Sequence, residues 1–267
     1  MLTTKDTGGI ELRFGSAEAM LKMVEMIANR EGLGDLLAEG TLRASKKVGG
    51  GSKEWAIQVK GQELPMHDPR SKHAIGLGYA VSPTGADHCH NIHDILFVTE
   101  GPSLDRLKPF GDYEPVSITG FAPEKIHLTL NQILWHTMLN SACCCMFVPY
   151  YAEHMVDLIG GITGWNTSAD ELLMWGERGW NMARAFNARE GFTAADDTLP
   201  KRLSSPPFWG PAAAGPISQE EIEKAKRTYY GMLNWDLETG NPTRGALERL
   251  RIGWVADELE KHGKLPY

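Results

Sequence analysis

The sequence predicts an all-α fold: a multi-helix region with a loop-rich insertion and at most one or two short strands. Three observations carry that reading. Two capping boxes, Ser168 with Glu171 and Ser218 with Glu221, each stand directly before a helix-like run. Pro123 stands where a first helical turn accepts proline, and Ile126, Leu130, Ile133, Leu134 and Met138 follow at helical spacing. Strand-like alternation, by contrast, is confined to Trp55–Lys60 and is weak there.

In chain order, Ser16 caps a first helix running to about Asn29, with Met20, Val24 and Ile27 on one face and Gly32 and Gly34 ending it. Asp35 caps a short second helix to about Lys46. Residues 61–122 are rich in breakers, His and Asp, which reads as a functional, irregular stretch. The helix after Pro123 runs into a cysteine cluster. The Ser168 box opens a long helix to about Arg189, in which Trp175, Trp180 and Phe186 read as core. The Ser218 box opens another, with Ile222, Ala225, Tyr229 and Met232 inward. A last helix spans roughly Pro242 to Lys261, burying Leu247, Leu250, Val255 and Leu259. Residues 1–205 form the main helical region. Residues 206–267 add a proline-rich linker, Ser204 to Pro216, and the C-terminal helices of the same unit.

Composition narrows the function. A net charge of −7 with no basic run argues against a nucleic-acid surface. No apolar stretch reaches the roughly 18 residues of a membrane span. The polar opening Met1–Gly9 is not a secretory signal, and three adjacent cysteines of four make no disulfide framework, so a reducing cytoplasm is expected.

Chemistry concentrates in two strings. One is Asn140-Ser-Ala-Cys-Cys-Cys-Met-Phe147. Neighbouring side chains diverge by about 100° on a helix and 180° on a strand, so at most one or two of these thiols serve one site. The other is Asp87-His-Cys-His-Asn-Ile-His-Asp94, whose His88, His90, His93 and Asp94 suit a zinc or iron site or, equally, a polar loop lining a funnel. Asp68 and Arg70, in a proline-bounded turn beside His67, read as a structural ion pair.

Six strings in order resemble the aldehyde ferredoxin oxidoreductase family of tungsten-pterin enzymes, in its C-terminal helical region. They are Arg30–Gly40, Glu63–Arg70, Gly76–His88, Asn140–Phe147, Gly176–Arg178 and Asp196–Arg202. The resemblance implies a helical region packed on a β-rich base that holds a tungsten-bis(pterin) beside a [4Fe–4S] cluster. It also implies oxidation of aldehydes to carboxylic acids, with ferredoxin as electron acceptor. The base, the first pterin motif and the Cys-x-x-Cys-x-x-x-Cys string have no match here. The chain is therefore expected to need an N-terminal half or partner subunit of the same enzyme.

By the same resemblance, Cys145 matches the fourth cluster cysteine and is the metal-ligand candidate. Asn140, in place of a pterin-binding Asp, and Cys144 are the cofactor-binding candidates, Cys143 and Cys144 replacing a Gly-Leu pair. His88 matches a histidine near the metal and is the catalytic candidate, its residue type suited to proton transfer near neutrality. Asp196–Arg202 reads as a structural turn, with Lys201 and Arg202 available to a pterin phosphate or a neighbouring domain. Two further readings remain: a docking or scaffold subunit that has lost the cofactor, and a metal-dependent enzyme built on the histidine cluster. In the absence of its base, such a chain should expose an apolar, cysteine-bearing face around 76–94 and 140–150.

Overall fold

The helix after Pro123 is the spine of the molecule. In the computed structural model, which describes residues 3–207 and 215–266, it spans Pro123–Ser141 and is buried along most of its length. Before it come α1 (Ala17–Asn29), α2 (Leu33–Leu37), α3 (Thr41–Val48), α4 (His73–Val81) and α5 (Pro102–Asp105), which makes the spine α6. After it come α7 (Ala152–Thr163), α8 (Ala169–Arg189), α9 (Gln219–Met232), α10 (Arg244–Arg249) and α11 (Gly253–Lys261). Among the described residues the only sheet is a hairpin, β1 (Gln58–Val59) against β2 (Gln62–Glu63), in antiparallel register Gln58 to Glu63. The all-α expectation holds.

α8 lies directly on α6 because two of its residues have no side chain. A Cβ at Gly176 would stand 1.9 Å from the Leu134 carbonyl oxygen, and one at Gly179 would stand 3.1 Å from Thr137. Both helices begin as the sequence indicated: Pro123 sits in the first turn of α6, and Ser168 and Glu171 close a reciprocal capping box on α8. The main core gathers Ile133, Leu134 and Trp180 from this pair with Ile75, Leu77 and Tyr79 of α4 and Ile222, Tyr229 and Tyr230 of α9.

α4 lies inside the stretch read as irregular. All nine of its residues are buried, so it has no polar face and leaves no 3.6-residue signature. Its N-cap, Lys72, makes no side-chain cap. Asp94, twenty residues on, caps it instead. The carboxylate accepts from the backbone N–H groups of Ala74 (2.8 Å) and Ile75 (3.2 Å) and pairs with Lys125 Nζ of α6 at 2.8 Å. A second buried carboxylate, Asp197, receives Lys60 and Arg184 at 2.7 Å each and the Tyr230 hydroxyl. Thus Asp196–Arg202 is structural, with Asp197 tying the hairpin to α8 and α9.

Several details differ from expectation. The Met20, Val24 and Ile27 face of α1 is exposed; α1 packs mainly on α2, where Gly34 meets the Met26 backbone, and it buries Ala19 and Met23. Asp35 caps nothing: Gly40, at φ 84°, divides the expected helix into α2 and α3, and Asp35 lies in the first turn of α2. Only Gln58–Val59 of the Trp55–Lys60 run is strand, because Lys60 and Gly61 turn at positive φ. The last helix is broken by Arg251 at φ 58° into α10 and α11. Met232 and Phe186 are partly exposed, Phe186 lying under Arg189. α7 had no counterpart in the sequence reading. Part of the expected linker, 208–214, lies outside the described residues.

Two substitutions test this account. Gly176→Ala should destabilise the chain by about 1–3 kcal/mol, because a methyl group must enter the Leu134 carbonyl contact; urea unfolding measures it. Asp197→Ala, which strands two buried cations, should cost about 3–5 kcal/mol by the same measurement.

Candidate functional site

The Asp87–Asp94 loop is fastened to α4 at two points. Asn91 donates to the Ile75 carbonyl (3.1 Å) and lies against Gly78, where a Cβ would stand 1.8 Å from Asn91 Oδ1. Asp94 grips the N-terminus of the same helix. So anchored, the loop turns His88 and His93 to one side and His90 to the other. His90 pairs with Asp87 (3.0 Å), approaches Ser82 Oγ (3.3 Å) and lies edge-on to Trp180. The pairing with His90 is the main reason the Asp87 carboxyl is held down to about 2.

His67 joins His88 and His93 from a separate segment. Its ring centroid is 4.8 Å from that of His88 and 4.7 Å from that of His93; the last two are 6.0 Å apart. The Tyr79 hydroxyl fixes the His67 carbonyl (3.1 Å), and the Asp68–Arg70 ion pair (2.6 Å) fixes the following turn. Lys72 reaches into the same group, with Nζ 2.7 Å from His93 Nδ1 and 3.4 Å from His67 Nδ1. Burial, reinforced by Lys72, lowers the pKa of His67 and takes His93 down to about 4. Behind the loop, buried His136 of α6 contacts Gln132 Nε2 (2.5 Å), and burial takes it down to about 3. Among the described residues, one group has three side chains with ligand atoms close enough for a metal: Asp87, His88 and Cys89, within 4.8 Å. The structure does not gather His88, His90 and His93 into such a group.

The second string forms the end of α6. Cys143 N–H donates to the Asn140 carbonyl (3.1 Å) and Cys144 N–H to that of Leu139 (2.8 Å), with Cys143 at φ 56°. This is a Schellman termination, whose left-handed residue is usually glycine. Its geometry separates the thiols. Cys144 packs inward against the core cluster containing Leu139, whereas Cys143 and Cys145 are exposed beside Phe147, itself 82% exposed. Asn140 is also exposed.

Cys143 thus takes a glycine-type backbone, two residues before the exposed Cys145. The family model for aldehyde ferredoxin oxidoreductase, domains 2 and 3, matches residues 1–252. The chain belongs to the aldehyde ferredoxin oxidoreductase family. It is 33% identical over 244 residues to the tungsten-containing aldehyde ferredoxin oxidoreductase of Pyrococcus furiosus, and 32% identical, also over 244, to that of Thermococcus kodakarensis. Each match covers 90% of this chain and 38% of the relative, so the chain spans well under half the length of these relatives. It is also 26% identical over 274 residues to the aliphatic sulfonate oxidoreductase, WOR-like subunit, of Pyrococcus furiosus, covering 97% of this chain and 39% of that one. In fold it resembles the active-site complex BamBC of benzoyl coenzyme A reductase in complex with 1,5-dienoyl-CoA. The TM-score is 0.66 at 21% identity, over all of this chain and 43% of that one.

Within this family member, the exposed face expected around 76–94 is only partly realised. Gly76–Ser82 are buried against the chain's own core while Cys89, Ile95 and Leu96 are exposed, and the 140–150 part of the face is present in exposed Cys143, Cys145, Phe147 and Val148. A cavity of about 1330 Å³ is lined by Trp55, Lys60, Arg70 and Arg202 and by none of the histidines. Size points to that cleft, while the clustered chemistry points to the histidine group, and we follow the chemistry. His67 was named in the sequence only as a neighbour of an ion pair, and nothing local marks Lys72 or His136. Among the described residues, no helix is long and apolar enough to cross a membrane.

Two outcomes follow. Cys143→Gly should stabilise the chain by about 1 kcal/mol in urea unfolding, since it relieves a left-handed non-glycine residue. His93 and His136 stay neutral in the fold but protonate near 6.5 when unfolded, so the unfolded state binds more protons below that pH. Stability is therefore fully present above about pH 6.5 and is lost as pH falls towards 4; His136→Leu should flatten the slope of urea midpoint against pH.

Proposed function

We propose that this chain supplies the helical part of a tungsten-pterin oxidoreductase that oxidises aldehydes to carboxylic acids, with ferredoxin as electron acceptor, in the cytoplasm. The supporting observation is the end of α6, where a glycine-type turn holds Cys145 outward at the position of the family's cluster cysteine. The residues fit the cofactors in part. Cys145 offers one free, exposed thiol, and Asn140 an exposed amide within the same turn. A [4Fe–4S] cluster takes four thiolates, so the other ligands, and most of the pterin contacts, come from outside these 267 residues. Cys144, half-buried against the core cluster containing Leu139, is the other cofactor-binding candidate of this turn.

A tungsten-pterin centre bound here would supply two-electron redox chemistry, and an iron–sulfur cluster one-electron transfer toward ferredoxin. The chain's own part is positioning and proton transfer. His88, on the loop that Asn91 and Asp94 fasten to α4, exchanges a proton at Nε2 with the hydrated aldehyde. His67 and His93 flank His88 as neutral imidazoles. Asn140 supplies one acceptor and one amide donor where a carboxylate would accept twice, which re-angles the pterin's amino edge.

Asn140 also favours a second reading, a docking subunit without cofactor. Elemental analysis decides between them, on chain purified anaerobically with its natural partners. The expected result is tungsten with about four irons per assembly. Cys145→Ser should lower iron while leaving the chain folded. His88→Asn should keep both metals and reduce kcat by about 10²–10⁴-fold. An assembly with neither tungsten nor iron would sink the oxidoreductase reading and leave the docking role.

A further inference from the structure

Four lysines of the described chain turn their ammonium groups inward. Three meet a carboxylate: Lys60 at Asp197 (2.7 Å), Lys125 at Asp94 (2.8 Å) and Lys226 at Glu223 (2.8 Å). Lys72 does not. It is 9% exposed, and no carboxylate lies within 4.0 Å of it among the described residues. Asp94 is the nearest acidic influence, but its oxygens serve Lys125 and the α4 N-terminus. What surrounds Lys72 Nζ is nitrogen, His93 Nδ1 at 2.7 Å and His67 Nδ1 at 3.4 Å. Neutral imidazoles accept its N–H groups without cancelling its charge, and a buried charge without a counter-ion is costly.

We propose that Lys72 is a carboxylate-binding residue, its ammonium group presented by His67 and His93 to an anionic oxygen of the substrate or product bound beside His88. His93 is arranged for the task. Its Nε2 lies 3.3 Å from the His88 carbonyl oxygen, and as donor there it leaves Nδ1 to accept from Lys72. That tautomer is assigned from the bonding pattern. Two of the three ammonium N–H groups are then engaged and the third is free for a ligand. The three rings are half-buried, so the group opens to the outside there. One positive charge with one free donor suits a carboxylate monoanion; no arginine fork faces it for a phosphate. The assignment to substrate or product rests on the reading of His88 given above.

The test is NMR of the whole chain labelled with ¹⁵N at histidine, titrated with acetate, inorganic phosphate or chloride at constant ionic strength. Acetate should shift the Nδ1 resonances of His67 and His93 saturably, and leave exposed His262 unmoved. Lys72→Met should weaken that binding at least tenfold, and Lys72→Arg should restore part of it; the remaining histidine resonances report that each variant folds. Acetate binding unchanged in Lys72→Met, equal shifts with phosphate or chloride, or no saturable shift would each overturn the proposal. The titration needs neither tungsten nor electron transfer. Acetate binding in a chain whose assemblies lack tungsten and iron would overturn the oxidoreductase reading and keep the Lys72 site, and the opposite pattern would overturn Lys72 alone.

Discussion

The buried carboxylate of Asp94 is the interaction on which the arrangement of this molecule depends. It closes the N-terminus of α4, neutralises Lys125 of the α6 spine and fixes the end of the histidine loop. A helix with no polar face needs its exposed N–H groups satisfied from elsewhere, because a buried donor left unpaired costs about 1–3 kcal/mol. Here the partner arrives from the loop that carries the chemistry, so folding of α4 and placement of His88 and His93 are one event. Lys72, next to the helix it fails to cap, is left facing the two imidazoles.

Around that point the structure solves one problem twice. Asp94 and Asp197 are each fully buried, and each is offset by cations from distant segments: Lys125 for the first, Lys60 and Arg184 for the second. Breaking such a pair leaves a stranded charge, which makes these contacts specify the register of segments that share little other contact. Glycines do the complementary work where backbones must touch, at Gly78 under Asn91 and at Gly176 on Leu134. Lys72 stands apart as the buried cation the protein itself does not answer.

The end of α6 shows how a departure from a family pattern is absorbed by backbone geometry. A cysteine replaces the glycine of the resemblance at 143, yet the turn keeps the glycine conformation, and the carbonyls of Asn140 and Leu139 still find their donors. The cost falls on local strain at Cys143, and Cys145 two residues on is exposed. The same turn assigns the three thiols different surroundings, inward for 144 and outward for 143 and 145.

Local signals determined what was legible in the sequence alone. The capping boxes at Ser168 and Ser218, the proline opening α6 and its apolar stripe gave the long helices, since each rests on contacts within one or two turns. The ordered strings gave the family, and His88, Asn140, Cys144 and Cys145 as the residues to watch. Tertiary structure decided the rest, because the deciding partners are far apart in the chain. α4 is invisible to periodicity, being buried on every side, and its cap is Asp94. His67 meets His88 across twenty-one positions, and the choice of His67 over His90 beside His93 follows from the Asn91 and Asp94 anchors. The face of α1, and Met232 alone on that of α9, were misjudged because an apolar stripe states what could be buried, and only the packing of α2 and the core states what is.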